Sequence, residues 1–174
     1  MIYEPREDSF LLLKHVKQYA KARVLDMGTG SGLLAKEAAR YADEVVAADI
    51  QKTVVEYLKN KLKETNIQII KSDLFQNVEG TFDLIIFNPP YLPDDPKAKD
   101  AALDGGLEGY EVIERFLGSA KNHLAENGKI LLLFSSLSKK EKIDELLTNV
   151  YSFEEIDSET MGDGEVLYVY LIRN

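Results

Sequence analysis

The chain has 174 residues, of which 45% are hydrophobic, and a formal net charge of −9 at pH 7. This length and composition predict one globular domain, residues 1–174, with a buried core. The absence of cysteine excludes disulfides, thiolate metal sites and a cysteine nucleophile, and the two histidines match no metal-ligand spacing, so no metal site is expected. The acidic charge argues against nucleic acid as a partner. No long apolar run or signal-peptide pattern occurs, which predicts a cytoplasmic protein without membrane contact.

Residues 1–21 are predicted to contain an amphipathic helix. Asp8 is interpreted as its N-cap, and its apolar face is expected to include Phe10, Leu13 and Val16. Considered alone, this pattern indicates a helix that docks on one edge of a sheet, with Asp8 and Ser9 acting only as capping residues.

A glycine-rich turn follows the first predicted strand. The strand begins near Ala22 and leads into Asp26-Met27-Gly28-Thr29-Gly30-Ser31-Gly32, and a helix is predicted from Leu33. Glycines let the backbone turn tightly and approach a ligand. The spacing is Gly-x-Gly-x-Gly, whereas a dinucleotide site needs Gly-x-Gly-x-x-Gly. A carboxylate at Asp26 would repel a pyrophosphate and favour a ligand with ammonium and sulfonium groups, such as S-adenosylmethionine.

Two more acidic residues are predicted at the carboxyl ends of the next two strands. Glu44–Asp49 ends in Asp49, at the distance from the glycines where a carboxylate accepts hydrogen bonds from ribose hydroxyls. After a helix over 52–64, the third strand Ile67–Ile70 leads to Asp73, which is expected to contact an adenine ring. Either acid alone is typical of a turn or a helix cap. Acids at the ends of three successive strands favour a binding site.

The fourth predicted strand, 81–87, ends in Asn88-Pro89-Pro90-Tyr91. Two prolines fix the backbone and remove two donors. The Asn88 amide oxygen and nearby carbonyls therefore suit a substrate that presents an NH2 group, and Tyr91 offers a flat wall for a planar amide or base. Considered alone, the motif fits a strand-terminating turn equally well.

The remainder of the chain completes an α/β fold. A long polar loop over 92–107 is interpreted as a substrate-side lid. A helix over 109–125, closed by Asn127-Gly128, a strand over 129–134 and a helix over 139–150 follow. The last two strands, 153–158 and 166–172, are predicted to be antiparallel. The element order predicts a seven-stranded, mostly parallel sheet with an antiparallel C-terminal hairpin and helices on both faces.

These motifs together resemble class I S-adenosylmethionine-dependent methyltransferases with a Rossmann-like fold that methylate an NH2 nitrogen. This group includes HemK-type protein-glutamine methyltransferases, adenine-N6 DNA methyltransferases and guanine-N2 ribosomal RNA methyltransferases. The N-terminal Tyr3–Leu13 resembles the signature of the short archaeal and eukaryotic HemK branch. Asp104-Gly105-Gly106, with Gly109-Tyr110-Glu111-Val112, is similar to the post-catalytic loop of that family.

The resemblance implies methylation of the glutamine in the Gly-Gly-Gln motif of a class I translation release factor, with S-adenosylmethionine as cofactor. It also implies that residues 1–21 cover the cofactor site, and that Asn88, Pro89 and Tyr91 are catalytic. The implied cofactor contacts are Ser9, Asp26, Gly28, Gly30, Asp49, Ile50, Asp73, Leu74 and Asn88.

The resemblance also bears on partners. Bacterial members carry an extra N-terminal domain, which is expected to be missing here because the first predicted strand lies so near the start of the chain. Eukaryotic members work with a small zinc-binding activator protein that pairs along a sheet edge, here the strand Ile67–Ile70, although an ordinary core strand would have the same pattern. The alternative activity is N-methylation of adenine N6 or guanine N2 in DNA or RNA, with Tyr91 stacking on a flipped base. The negative charge and the lack of a target-recognition domain argue against it.

Overall fold

The computed structural model describes residues 4–92 and 105–174, which form one seven-stranded sheet flanked by helices. The strands are β1 (Arg23–Met27), β2 (Glu44–Asp49), β3 (Ile67–Lys71), β4 (Phe82–Phe87), β5 (Leu124–Ser135), β6 (Ser152–Thr160) and β7 (Val166–Arg173). The helices are α1 (Glu7–Tyr19), α2 (Leu33–Ala38), α3 (Lys52–Lys61), α4 (Glu111–Ala120) and α5 (Lys140–Leu147), with short 3₁₀ turns at Lys121–His123 and Ser136–Ser138.

The strand order is β3-β2-β1-β4-β5-β7-β6. Strands β1 to β5 are parallel, and β7 lies antiparallel between β5 and β6. This topology confirms the predicted Rossmann-like α/β fold with an antiparallel C-terminal hairpin. From β1, the chain adds β2 and β3 on one side of the sheet and then returns to add β4 and β5 on the other side. Open α/β sheets bind ligands at such a switch point, which here lies between β1 and β4.

The core has two layers, one on each face of the sheet. On one face, Leu25 and Ile85 pack against α4 and α5; on the other, Val24 and Leu84 pack against α1 and α2. Strand β4 is buried from Leu84 to Phe87, because a central parallel strand is covered on both faces. The residue that follows β4 is therefore attached to a strand that is covered on both faces of the sheet.

Helix α1 differs from its prediction in two respects. Its buried face consists of Leu11, Leu12 and Val16, whereas Phe10 is 53% exposed. The reason is that α1 lies over a sheet face, beside α2 and across β5, β7 and β6, and not along an edge. The N-cap is Arg6, without a side-chain cap, and Asp8 is buried in the first turn. The interpretation of Asp8 as a cap was wrong.

Helix α4 also ends earlier than predicted. It stops at Ala120, and after one 3₁₀ turn β5 begins at Leu124. Strand pairing then skips from Leu124 to Lys129, so Asn127-Gly128 lies in an irregularity of β5 and does not close a helix. Of the predicted loop over 92–107, residues 93–104, including Asp104, lie outside the described residues.

Alanine substitutions at Gly32 and Gly118 test the backbone conformation and the packing at these two positions. Gly32 precedes α2 with φ of 80°, and an added Cβ would lie 2.9 Å from Leu58 Cδ2. We expect Gly32→Ala to lower the free energy of unfolding by about 1–3 kcal/mol. In α4, an added Cβ at Gly118 meets no atom within 4 Å. Gly118→Ala should therefore raise the free energy of unfolding by about 0.5–1 kcal/mol. Urea unfolding measures both, and changes of the same sign would contradict this prediction.

Candidate functional site

A cavity of about 250 Å³ opens at the carboxyl ends of the central strands. Four loop segments and four helices form its wall: residues 27–31, 49–51, 72–74 and 87–92, together with Asp8 and Ser9 of α1, Leu33 and Leu34 of α2, Val54 of α3, and Val112 and Arg115 of α4. Every site residue predicted from the sequence lines this cavity except Asp26. The fold therefore brings residues from four separate loops to one place.

Asp49, the last residue of β2, connects the glycine turn to this strand by a hydrogen bond. Its Oδ2 accepts a hydrogen bond from Gly30 N at 3.0 Å, and its Oδ1 accepts one from Gln51 N at 2.9 Å. Burial raises the pKa of this carboxyl above its usual range, against the lowering effect of these backbone donors. Each carboxylate oxygen has a second lone pair, so Asp49 can also accept ligand hydroxyls. Beside it, Ile50 is 51% exposed and supplies an apolar surface at the cavity.

Asp26 lies behind the glycine turn and not on the cavity wall. Its Oδ2 accepts hydrogen bonds from Thr29 Oγ1 at 2.6 Å and from Ala35 N at 2.9 Å. The side chain is 1% exposed, and burial raises the pKa of Asp26 to about 7, against the lowering effect of the two donors. Asp26 thus connects the turn to α2. Its predicted contact with the cofactor stays a prediction.

Asp73 forms an ion pair across the cavity rim. Both carboxylate oxygens lie 3.0 Å from Arg115 Nη2. Next to it, Leu74 has a φ of 46°, and Ser72 Oγ donates a hydrogen bond to the Leu74 carbonyl at 2.6 Å. Sequence reasoning missed Arg115, although its spacing from Val112, three residues along α4, places both on one helix face.

The Asn88 amide is held at its nitrogen end by Asp8, and its oxygen end has no partner among the residues that the structure describes. Asn88 Nδ2 donates a hydrogen bond to Asp8 Oδ2 at 3.1 Å, and Tyr91 OH lies 3.4 Å from the same oxygen. Asn88 Oδ1 is buried, and no group among the described residues donates a hydrogen bond to it. Because buried acceptors are normally paired, this oxygen is a candidate for a substrate N–H. Sequence reasoning missed the role of Asp8, which is 80 residues away and gives no local signal.

The described part of the cavity wall is acidic. Asp8, Asp49 and Asp73 line it, and its one basic residue among those described, Arg115, is paired with Asp73. Such a wall favours a ligand with positive charge. Acceptors for hydroxyls at Asp49 and apolar surfaces at Ile50 and Leu74 complete a set that fits a sulfonium, an ammonium, a ribose and an adenine. These are the groups of S-adenosylmethionine.

Two negative findings apply to residues 4–92 and 105–174. No cluster of three or more histidine or acidic side chains there has the arrangement of a metal site. No helix in this part of the chain is long and apolar enough to cross a bilayer.

Residues 7–160 match the family described as the methyltransferase small domain. A protein of Methanocaldococcus jannaschii, provisionally named a protein N5-glutamine methyltransferase, is 42% identical over 154 residues, covering 83% of this chain and 78% of the relative. A release factor glutamine methyltransferase of Lactococcus lactis is 32% identical over 124 residues, covering 63% of this chain. This chain spans 46% of that bacterial relative, about half its length.

The fold also matches a solved structure from E. cuniculi. This is the Mtq2–Trm112 complex, described as responsible for methylation of the eRF1 translation termination factor. The TM-score is 0.80 with 24% sequence identity, and the match covers 99% of this chain and 98% of that one. At this identity, the likeness concerns the fold.

The raised pKa of Asp26 predicts how stability depends on pH. The folded-state pKa of about 7 exceeds the usual aspartate pKa of 3.8, so the folded state binds more protons between these values. The free energy of unfolding should therefore fall as the pH rises through this window. Asp26→Asn keeps an acceptor for Thr29 and Ala35 but carries no charge. We expect its loss of stability from about pH 5 to about pH 8 to be smaller than that of the wild type, by roughly 1–3 kcal/mol.

Urea unfolding of both proteins at the two pH values measures this difference. Asp49 titrates in both proteins, and its interaction with Asp26 is the smallest of the causes that shift the Asp26 pKa, so most of its contribution cancels in the comparison. Parallel pH profiles for the two proteins would show that Asp26 does not titrate in this window.

Proposed function

Because the chain belongs to the methyltransferase small domain family, we propose that this S-adenosylmethionine-dependent N-methyltransferase acts on the side-chain amide nitrogen of a glutamine. The proposed substrate is the Gly-Gly-Gln motif of a class I translation release factor, which would place the protein in the cytoplasm. The observation that carries the proposal is the buried Asn88 Oδ1, which lacks a donor among the described residues. The names of the archaeal and bacterial relatives support the choice of a glutamine.

Methylation of a glutamine amide requires the chain to orient the nitrogen and to stabilise the positive charge that develops on it. A glutamine amide nitrogen is a poor nucleophile because its lone pair is delocalised into the carbonyl. Asn88 Oδ1 and the Pro89 carbonyl would accept its two N–H bonds, direct the nitrogen at the methyl group and stabilise the positive charge that builds on it. Tyr91 would hold the plane of the amide. Positioning and electrostatics then supply most of the acceleration.

The cofactor supplies, when bound, a methyl group on a sulfonium centre. Residues of three loops would hold the cofactor. Asp49 would accept hydrogen bonds from its hydroxyls, and Ile50 and Leu74 would contact its ring. Gly28 and Gly30 would let it approach the backbone of the glycine turn closely. As the nitrogen gains the methyl group it becomes acidic and loses its proton to solvent. The chain therefore needs no strong general base.

Methyl transfer from labelled S-adenosylmethionine tests the substrate. We expect label in a class I release factor and none in its Gly-Gly-Gln→Gly-Gly-Ala variant, because only the first presents the amide. DNA and RNA are assayed in parallel. Label in nucleic acid, with the release factor blank, would replace this proposal by methylation of a base amine.

The same assay tests Asn88. Asn88→Ala removes the acceptor and should lower turnover by about a hundredfold, by analogy with the loss of one oxyanion-hole partner. Cofactor affinity, measured by calorimetry, should stay nearly unchanged. A variant that lost cofactor binding and kept turnover at saturating cofactor would show that Asn88 serves the cofactor and not the substrate.

We also propose that a small zinc-binding protein adds a strand to β3. This strand is the last in the sheet, and its residues are half-buried or exposed. Val45 N bonds to Asn66 O, and Ser72 N bonds to Asp49 O. Because hydrogen bonding alternates along a parallel strand, the N–H groups of Ile69 and Lys71 face away from β2. They are available to an added strand. The Mtq2 structure, solved with Trm112, supports a partner of this kind.

Lys71→Pro tests this edge. The substitution removes one outward N–H without touching the bonds to β2, as tolerated on an edge strand. We expect it to weaken binding of the Trm112-type protein from the same organism by about tenfold or more. Lys71→Ala removes the same side chain, keeps the N–H and should bind normally. Equal affinities of the two variants, measured by calorimetry, would rule out pairing at this strand.

A further inference from the structure

Asp8 occupies an unusual position for a residue in the first turn of a helix. Its side chain is 4% exposed, and its Oδ2 is the acceptor for Asn88 Nδ2 at 3.1 Å. Its Oδ1 accepts a hydrogen bond from Ser9 N at 2.6 Å. The buried carboxylate thus contacts the two-proline motif directly and provides no N-cap for its own helix.

An asparagine amide needs such a contact if its oxygen is to serve a substrate. The oxygen and the NH2 group have nearly the same shape, so rotation of the amide by half a turn exchanges an acceptor for a donor. An ionised carboxylate only accepts hydrogen bonds. It therefore selects the rotamer in which the NH2 group faces Asp8, and this leaves Oδ1 as the end that receives no hydrogen bond from the described part of the chain.

We propose that Asp8 is a positioning residue for methyl transfer. It fixes the orientation of the Asn88 amide, so that Oδ1 is available to the N–H of the substrate. Tyr91 OH lies 3.4 Å from the same carboxylate oxygen, so one group aligns both the acceptor and the wall of the substrate site. This inference rests on the proposed function, because it assigns Asp8 a role in that reaction.

The rest of α1 holds Asp8 in place. Leu11, Leu12 and Val16 are buried against the sheet. Farther along the helix, His15 Nε2 lies 2.8 Å from Asp157 Oδ2 of β6. These contacts hold α1 on the sheet face to which β4 contributes Leu84 and Ile86, and connect its later part to β6. The orientation of the Asn88 amide therefore depends on tertiary packing of the N-terminal helix.

An exchange of the two side chains tests the proposal. In Asp8→Asn, the new amide can donate to Asn88 Oδ1 and stabilise the wrong rotamer, so turnover should fall by about tenfold or more. In Asn88→Asp, two carboxylates face each other, and turnover should fall further. The double variant Asp8→Asn/Asn88→Asp restores one donor and one acceptor with the original charge. We expect it to recover at least about tenfold over Asn88→Asp.

Glu7→Gln is the matched control. Glu7 is the exposed neighbour of Asp8 in the same helical turn, and its substitution removes the same charge. Turnover should be unchanged. In Asp8→Asn, the melting temperature and the cofactor Kd should change little while kcat falls. A drop in stability that accounts for the lost activity, or a double variant no better than Asn88→Asp, would overturn the proposal.

A second measurement separates this inference from the proposed function. The side-chain NH2 resonances of Asn88 are identified by their loss in Asn88→Asp. We expect slow exchange of these protons with solvent in the wild type and in Glu7→Gln, and faster exchange in Asp8→Ala. If the wild type fails to methylate a release factor, the proposed function is wrong. Unchanged exchange in Asp8→Ala would then refute the role of Asp8 independently.

Discussion

A buried acceptor without a donor is costly, and Asn88 Oδ1, which has no donor within residues 4–92 and 105–174, is held in place by three parts of the chain. Strand β4 fixes the backbone before it, because both faces of this strand are covered. Two prolines fix the backbone after it. Asp8 of α1 engages the other end of the amide. A substrate that supplies the missing hydrogen bond would remove the cost, and this is a physical reason for selectivity towards an NH2 group.

The opposite side of the cavity is organised by carboxylates that bind the backbone of the chain itself. Asp26 bonds to Thr29 and Ala35, and Asp49 bonds to Gly30 and Gln51. The glycine turn is thereby shaped before any ligand arrives. Preorganised charge of this kind interacts strongly with a cation because little reorganisation is needed on binding. Burial raises the pKa of both acids, and a bound cation would favour their ionised forms.

The sequence predicted most of the sheet because apolar strands and glycine turns are local signals. Strand β2 begins and ends where predicted, at Glu44 and Asp49. The Asp8 contact could not be predicted, because it joins residues 80 positions apart and follows from the docking of α1. Its local context suggested a cap. Asp26 was placed at the correct strand end, but the sequence could not show that the side chain turns behind the glycine loop.

The most direct test is a crystal structure of the protein with S-adenosylhomocysteine and a peptide that contains Gly-Gly-Gln. We expect the glutamine Nε2 to lie within about 3.2 Å of Asn88 Oδ1, while Asn88 Nδ2 keeps its bond to Asp8. A glutamine amide bound elsewhere in the cavity, or one that meets Asn88 with its carbonyl oxygen, would contradict it.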